Sequence, residues 1–198
     1  MSMKFEILKN ELLHDGFLKL QRLTLQHALF EGGTSRVLVR ELMLRIPAAA
    51  VLVVDLSRQC CLLVEQFRVG AHQADNPWCL ELIAGLADEA GEPVTELIRR
   101  EALEEAGVAV GRLEQITTYY PSPGGSNEQV TLFVGEADLS AAGGVHGQLE
   151  EGEDIRSHLV PLADIPQLLG SGRINNAATL IALQWWLLNG ERLCQQWL

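Results

Sequence analysis

The sequence has few of the basic residues that mark proteins built to bind nucleic acid. Its 198 residues include 15 Lys and Arg against 26 Asp and Glu, which gives a formal net charge of −11. An acidic surface repels a phosphate backbone, so a nucleic-acid partner is disfavoured. A small phosphorylated ligand remains compatible with this charge, because a divalent cation can bridge carboxylates to phosphates.

Cysteine motifs and long apolar runs are also missing. The four cysteines, Cys60, Cys61, Cys79 and Cys194, form no Cys-x-x-Cys pair and no Cys/His cluster, so a zinc site built on them is not expected. No run reaches the ~18 apolar residues of a membrane span, and the N-terminus lacks the apolar stretch of a signal peptide. We therefore expect a cytoplasmic protein without a membrane partner.

The hydrophobic pattern predicts strands at the start of the chain and a mixture of strands and helices after it. Residues 17–25 largely alternate apolar and polar, as a half-buried antiparallel strand does. The apolar runs 48–55 and 61–67 predict a hairpin, and 78–84 predicts another strand. Further strands are expected at 114–120, 129–138 and 155–160, helices at 163–169 and 176–189, and a Gly- and Glu-rich loop at 140–154.

Strands and helices do not alternate strictly along the chain. This order favours a sandwich with a mixed sheet over a doubly wound parallel sheet. We expect an α/β (α+β) fold, in which an α/β/α sandwich follows a small N-terminal antiparallel sheet. The expected division is a β-rich subdomain at residues 1–45 and the main domain at residues 46–198.

The chemistry of the sequence is concentrated in residues 85–108, GLADEAGEPVTELIRREALEEAGV. Pro93 suits a first helical turn and Gly107 suits a helix end, so a helix is expected between them. On that helix Glu101 and Glu105 lie four residues apart on one face, with Glu104 beside them. Carboxylates this close repel one another, and a hard divalent cation offsets the repulsion. A solvated acidic face is the ordinary alternative for an isolated segment of this kind.

This segment resembles the Nudix box, G-x5-E-x7-R-E-U-x-E-E-x-G-U, in which U is apolar. Six residues instead of five separate Gly85 from Glu92, so either Glu92 or Glu89 can be the early Glu of the box. The positions in register are Glu92, Arg100, Glu101, Ala102, Glu104, Glu105, Gly107 and Val108. Spacing this specific makes a solvated acidic helix the weaker interpretation.

Over nearly its whole length the chain is similar to the ADP-ribose pyrophosphatase branch of the Nudix family. The similar segments include Val-Glu-Gln-Phe-Arg at 64–68, Ser-Pro-Gly-Gly at 122–125, Glu-Glu-Gly-Glu-Asp-Ile at 150–155 and Asn-Asn-Ala-Ala at 175–178. The resemblance implies a hydrolase that cleaves the pyrophosphate of ADP-ribose to AMP and ribose 5-phosphate. It also implies Mg²⁺, or alternatively Mn²⁺, as cofactor.

The resemblance further implies a role for each carboxylate. The metal would be held by Glu101, Glu105, Glu153 and the backbone carbonyl of Ala84. Glu104 would be an orienting or bridging carboxylate of the catalytic group. Bound metal neutralises phosphate charge and acidifies water, and a loop carboxylate can accept the proton of that water. Glu151 would be this general base, with Glu150 as the alternative.

The substrate contacts implied by the resemblance come from several parts of the chain. Arg68 would hold a phosphate, since a guanidinium forms bidentate bonds to phosphate oxygens. The other implied contacts are Phe17, Leu18, Arg40, Glu41, Arg45, Leu86, Ser122, Gly124 and Glu128. Strand packing for Phe17 and solvation for Arg40 and Arg45 are equally acceptable. In this branch the partner subunit supplies part of the site, which implies a homodimer; a small sheet would also be unstable alone.

Two other functions stay open at this point. The first is a Nudix enzyme that acts on another nucleoside diphosphate derivative, such as a nucleotide sugar, because pocket residues alone separate these substrates. The second is a Nudix-like module that binds ADP-ribose without cleaving it. Such a module is expected to have lost carboxylates of the box, whereas Glu101, Glu104 and Glu105 are all present.

Overall fold

A computed structural model of the chain describes residues 3–89, 91–148, 150 and 152–197. The helices within these residues are α1 (Val94–Ala106), α2 (Ile165–Gly170) and α3 (Ala177–Trp197). The strands are β1 (Phe5–Asp15), β2 (Lys19–His27), β3 (Leu38–Leu44), β4 (Ala48–Asp55), β5 (Cys60–Phe67), β6 (Trp78–Glu81), β7 (Ile83–Leu86), β8 (Leu113–Tyr119), β9 (Val130–Glu136), β10 (Gly144–His146) and β11 (Ile155–Pro161).

The chain divides into two compact units. The first contains the residues up to Ile46 together with Tyr120–Gln129, and the second contains Pro47–Tyr119 and the residues from Val130 onward. In the first unit, β1, β2 and β3 form an antiparallel sheet in that order, as the sequence predicted. The segment Tyr120–Gln129 lies along β3, where Met43 N–H donates to the carbonyl of Gly125 at 2.8 Å.

The second unit is built on a mixed sheet with the order β10-β11-β5-β4-β9-β8. The pairing of β4 with β9 is parallel, and the other pairings along this path are antiparallel. β4 and β5 pair near their shared turn, through Val53–Asp55 and Cys60–Leu62, and then separate. β6 continues the pairing of β5, and β7 continues that of β4.

The expectation of one strand over residues 78–84 is therefore wrong in one respect. The segment forms two strands, because it first pairs with β5 and then crosses to pair with β4. The crossing is at Leu82, whose N–H donates to Thr179 Oγ1 of α3 at 3.1 Å. A side chain on a distant helix thus satisfies the backbone group at the break, which local sequence does not reveal.

Side chains of β4 alternate between two cores, one on each face of the sheet. Val51 and Val53 pack in the core that includes Leu97 of α1, whereas Leu52 packs in the core that includes Leu183 of α3. A strand with period two that is apolar on both faces must be covered on both sides. The sheet accordingly lies between α1 and α3, which confirms the expected sandwich with a mixed sheet.

Two further elements differ from the sequence-based expectation. The loop expected at 140–154 contains the short strand β10, whose Val145 is registered with Arg156 of β11. α3 continues beyond the expected end at Asn189, through Gly190. This glycine does not end the helix but packs against the ring of Trp186, from which a Cβ would lie only 2.8 Å away. None of the described helices combines the length and the apolar character needed to cross a membrane.

Candidate active site

The site begins where β7 runs against α1. A Cβ on Gly85 would lie 2.3 Å from Glu101 Oε1, so only glycine leaves room for this side chain. The adjacent Ala84 donates its N–H to Glu105 Oε2 at 3.3 Å. β7 thus places backbone against two carboxylates of the helix, which are also the two that sequence spacing put on one face.

Glu105 is a buried carboxyl group, with 4% of its surface exposed. Burial raises the pKa of Glu105 to about 8, although the hydrogen bond from Ala84 N–H opposes this effect. The negative charges of Glu101 and Glu153 raise it further, and the positive charge of Arg68 lowers it.

Glu101 is in a similar electrostatic environment. Burial raises its pKa to about 7; the charge of Arg100 lowers it, while those of Glu104 and Glu153 raise it. Two neighbouring carboxyl groups therefore have disfavoured charged forms at neutral pH. A cation bound beside this cluster would favour the charged forms of both carboxyl groups.

Arg100 organises the carboxylates on the solvent side of the helix. Its guanidinium contacts Glu101 Oε1 at 3.1 Å and Glu104 Oε2 at 3.3 Å. It also donates to both carboxylate oxygens of Glu92, at 3.3 and 3.4 Å, and these contacts raise the pKa of Arg100. Of the two candidates for the early Glu of the box, Glu92 is thus the one that contacts Arg100. The carbonyl of the other candidate, Glu89, accepts a hydrogen bond from Glu92 N–H.

The carboxylates expected from the late loop are only partly described. Glu153 accepts a hydrogen bond from Gln148 N–H at 3.1 Å. Gly147, with φ +100°, lies so close that a Cβ there would be 2.8 Å from Glu153 Cβ. Glu150 is exposed. Glu151, the expected general base, lies outside the described residues.

The donors at this site suit a hard cation in their chemistry. Glu101, Glu105 and Ala84 offer carboxylate and carbonyl oxygens, which Mg²⁺ and similar ions prefer. Among the described residues, however, no three Asp, Glu, His or Cys side chains are already arranged around a common metal position. Glu101 is instead held by Arg100, and Glu105 by Ala84 N–H.

Arg68, the expected phosphate ligand, follows directly after β5. Its Nε donates to Glu81 Oε2 of β6 at 2.6 Å, and 45% of its side chain is exposed. Sequence reasoning missed Glu81 as the partner that holds this guanidinium. The residue was visible in the sequence, but its proximity to Arg68 depends on the register between β5 and β6.

The expected ligands in the first unit form two separate groups of contacts. Arg45 Nε lies 3.3 Å from Glu128 Oε1, and Arg45 N–H donates to Asn127 Oδ1 at 2.7 Å. Glu41 pairs with Arg22 at 2.8 Å. The structure thus joins Arg45 and Glu128, which are far apart in sequence, but it gives Glu41 a different partner.

The remaining expected contacts lie in turns, at a strand end or, for Arg40, within β3. Phe17 is 89% exposed, so strand packing within the described chain does not explain it, and Leu18 beside it is 41% exposed. Arg40 donates to the carbonyl of Val39 at 2.9 Å. Ser122 accepts hydrogen bonds from Gly125 and Ser126 N–H in the turn that contains Gly124, and Leu86 ends β7 half-buried.

A second concave region lies on the opposite face of the sheet. It is a cavity of about 300 Å³, and its lining includes Glu65, Trp78 and Arg156. Glu65 there is held by His158 and Arg173. None of the clustered carboxylates of α1 lines this cavity, so the chemistry of the sequence is on the α1 face.

A mixed sheet between two helices, with clustered carboxylates on one of them packed against Gly85 of β7, is the arrangement of a Nudix-type fold. A model of the NUDIX domain family matches residues 44–181. The chain therefore belongs to the Nudix family, and the resemblance stated from its box is confirmed. Hydrolases of this family generally need a divalent metal.

Similarity to individual proteins extends beyond this domain. The chain is 41% identical to an ADP-ribose pyrophosphatase of Escherichia coli, with 97% of this chain and 92% of the relative covered. It is 42% identical to the ADP-ribose pyrophosphatase of Haemophilus influenzae, with 97% and 90% covered. A GDP-mannose pyrophosphatase of Enterobacter is 33% identical, with 96% and 98% covered.

A solved structure supports the fold. The structure described as an ADP compounds hydrolase superposes with a TM-score of 0.71 at 21% sequence identity, and the match covers 95% of this chain and 96% of that one. At this identity the likeness bears on the fold alone.

Proposed function

We propose that this protein hydrolyses the pyrophosphate bond of ADP-ribose, producing AMP and ribose 5-phosphate. The observation that carries the proposal is the set of carboxylates on α1, held against β7 by Gly85 and Ala84 and arranged around Arg100. ADP-ribose pyrophosphatases at 41–42% identity over nearly the whole chain support the substrate.

The proposed cofactor is Mg²⁺, with Mn²⁺ as the second choice. A bound divalent cation would neutralise phosphate charge and acidify a water molecule. The residues proposed to hold it are Glu101, Glu105 and Glu153, with the carbonyl of Ala84. Raised pKa values at Glu101 and Glu105 support this assignment, since burial disfavours the charged forms of both carboxyl groups and a bound cation would stabilise those forms.

The other carboxylates have proposed roles around the metal ligands. Arg100 holds Glu104 in place and is itself fixed by Glu92, so Glu104 is proposed to orient or bridge without leaving the helix surface. Glu151 is proposed as the general base that accepts the proton of the attacking water, with Glu150 as the alternative. The support for Glu151 is its place in the sequence motif.

Substrate contacts are proposed from both units, each on its own evidence. Arg68 is proposed to bind the diphosphate, because its guanidinium is half-exposed and its positive charge lowers the pKa of Glu105. In the first unit, the ion pair of Arg45 and Glu128 supports a polar contact there. The contacts that rest on the resemblance are Phe17, Leu18, Arg40, Glu41, Leu86, Ser122 and Gly124.

A nucleotide sugar is the second candidate substrate, and a specific observation favours keeping it. GDP-mannose pyrophosphatases are similar to this chain over nearly its full length, at 32–33% identity. ADP-ribose remains first because its pyrophosphatases are more similar. A non-catalytic ADP-ribose-binding module is not favoured, since Glu101, Glu104 and Glu105 are all retained.

A homodimer is the proposed assembly, and the cytoplasm is the proposed compartment. The N-terminal unit exposes large apolar side chains on its sheet and in its turns, with Phe5 73%, Phe17 89% and Phe30 98% exposed. Exposed aromatic surface on this scale is typical of an interaction site, and a two-fold axis would cover it with the same surface of a second copy. Sedimentation equilibrium of the purified protein tests the assembly.

The substrate test is a product assay on a matched panel. ADP-ribose, GDP-mannose and a nucleoside triphosphate are incubated with the protein, with and without Mg²⁺, and the products are identified chromatographically. We expect AMP and ribose 5-phosphate from ADP-ribose in the presence of Mg²⁺, with the highest kcat/KM of the panel. A higher kcat/KM on GDP-mannose would replace ADP-ribose by a nucleotide sugar, and binding of ADP-ribose without turnover would exclude an enzyme.

A further inference from the structure

Gln66 on β5 carries a buried hydrogen-bond donor for which the described part of the chain offers no acceptor. The residue is 8% exposed, and its Nε2 atom makes no hydrogen bond to any residue that the structure describes. Buried amide N–H groups are nearly always paired, so an unpaired one indicates either a missing ligand or a functional cost. Within the described chain, Ser157 Oγ of the neighbouring strand β11 is in the same state.

The strand geometry places Gln66 on the face of the sheet that α1 covers. Side chains alternate along β5, and Leu62 and Val64 pack in the core that contains Leu97 of α1. Gln66 is the next residue of that series. Arg68 follows two residues later with extended backbone, φ −121° and ψ 114°, so its side chain leaves on the same face.

Gln66 also lies in the row between the two partners of an ion pair. Across the strands Gln66 is registered with Cys79, and Val64 with Glu81. Arg68 is beyond Gln66 in the other direction, and its guanidinium reaches back to Glu81 at 2.6 Å. The ion pair between Arg68 and Glu81 therefore reaches across the pair of Gln66 and Cys79. It does so on the face of the sheet that α1 covers, where the charge of Arg68 lowers the pKa of Glu105.

We propose that Gln66 Nε2 donates a hydrogen bond to an oxygen of the substrate diphosphate, next to the guanidinium of Arg68. The inference rests on the proposed function and adds a substrate contact to it. A phosphate that draws Arg68 away from Glu81 uncovers the amide beneath the ion pair. The donor then has an anionic acceptor that it lacks in the free protein.

This role has a signature that a structural role would not produce. An unpaired donor destabilises the free protein, so its removal is neutral or stabilising when the shape of the side chain is kept. The same removal weakens binding, because the phosphate loses a donor. A structural glutamine, hydrogen-bonded in the free protein, would instead lose stability when it is replaced.

The test compares Gln66→Met with Ser157→Ala as matched control. Methionine keeps the unbranched length of glutamine, and Ser157→Ala removes the other unpaired polar atom from the adjacent strand. Tm is measured on the free proteins, and Kd for ADP-ribose is measured by calorimetry without metal, so that no turnover occurs. For Gln66→Met we expect an unchanged or higher Tm and an affinity about 10- to 100-fold weaker. Ser157→Ala should bind as the wild type does.

A second variant guards against a folding defect in the first. Gln66→Glu keeps the size of the side chain and replaces the donor by an acceptor that repels phosphate, so it should weaken binding more than Gln66→Met does. If the wild type binds and cleaves ADP-ribose but both variants keep the wild-type Kd, the inference about Gln66 is wrong and the proposed function stands. A fall in Tm for Gln66→Met, or a fall in kcat at unchanged Kd, would also overturn it. Wild-type protein that does not bind ADP-ribose would refute the proposed function, and this inference with it.

Discussion

The N-terminal sheet and the α1 face of the main sheet differ in the kind of side chain that each leaves in an unfavourable environment. The N-terminal sheet exposes apolar rings such as Phe5 and Phe17, while its ion pairs lie at the surface. The α1 face covers its apolar residues but buries carboxyl groups, including Glu105, with too little positive charge nearby. A second protein surface that covers the apolar side chains would therefore stabilise the first region. A bound cation would stabilise the second region.

The largest effect is expected when the acidic cluster is neutralised. In the double variant Glu101→Gln, Glu105→Gln, hydrolysis of ADP-ribose should fall by roughly 10³- to 10⁵-fold, because metal-ion catalysis supplies several kcal/mol. Steady-state kinetics and isothermal titration with Mg²⁺ measure both consequences. Glu96→Gln is the control, since Glu96 is on the same helix with 61% of its side chain exposed. Unchanged turnover and metal binding in the double variant would show that the carboxylates of the α1 face do not hold the catalytic cation.

A somewhat smaller loss is expected from the proposed general base. Glu151→Gln should lower kcat by roughly 10²- to 10⁴-fold with little change in metal affinity, because an amide cannot accept the proton of the water. Glu150→Gln is the matched variant and should retain wild-type kcat. The opposite result, a loss in Glu150→Gln alone, would transfer the role to Glu150.

The N-terminal region should respond through assembly and not through chemistry. Phe5→Glu puts charge into the exposed apolar surface and should shift the protein from dimer to monomer in sedimentation equilibrium. Because contacts from a partner would be lost, KM for ADP-ribose should rise about 10-fold. If Phe5→Glu changes neither the assembly state nor KM, and the wild type is already monomeric, the proposed homodimer is wrong.

The smallest expected effect is a pH dependence of stability that belongs to the α1 face. Burial raises the pKa of Glu105 to about 8 and that of Glu101 to about 7, from the ordinary glutamate value of 4.5. The folded protein therefore binds more protons than the unfolded chain between about pH 4.5 and 8, and metal-free stability should fall as pH rises through this window. Urea unfolding at several pH values measures the slope, which should be shallower in Glu105→Gln. An identical slope in the variant would mean that Glu105 is not the titrating group.

The local pattern of the sequence predicted much of the site. α1, its end at Gly107 and the shared face of Glu101 and Glu105 all follow from helical periodicity, which acts over a few residues. The order of strands also indicated the mixed sandwich. The division of residues 78–86 into two strands was not predictable, because it depends on which strand each half pairs with and on Thr179 of α3.

The sequence by itself determined which groups carry the chemistry: an acidic helix of box spacing, and an N-terminal sheet with apolar residues in excess. The tertiary structure alone decided which groups meet, namely Ala84 with Glu105, Arg68 with Glu81, and Arg45 with Glu128. It also decided that Gln66 Nε2 finds no acceptor among the residues that the structure describes. The physical reason is strand register, since contacts between residues distant in sequence change completely when a strand slips by one residue.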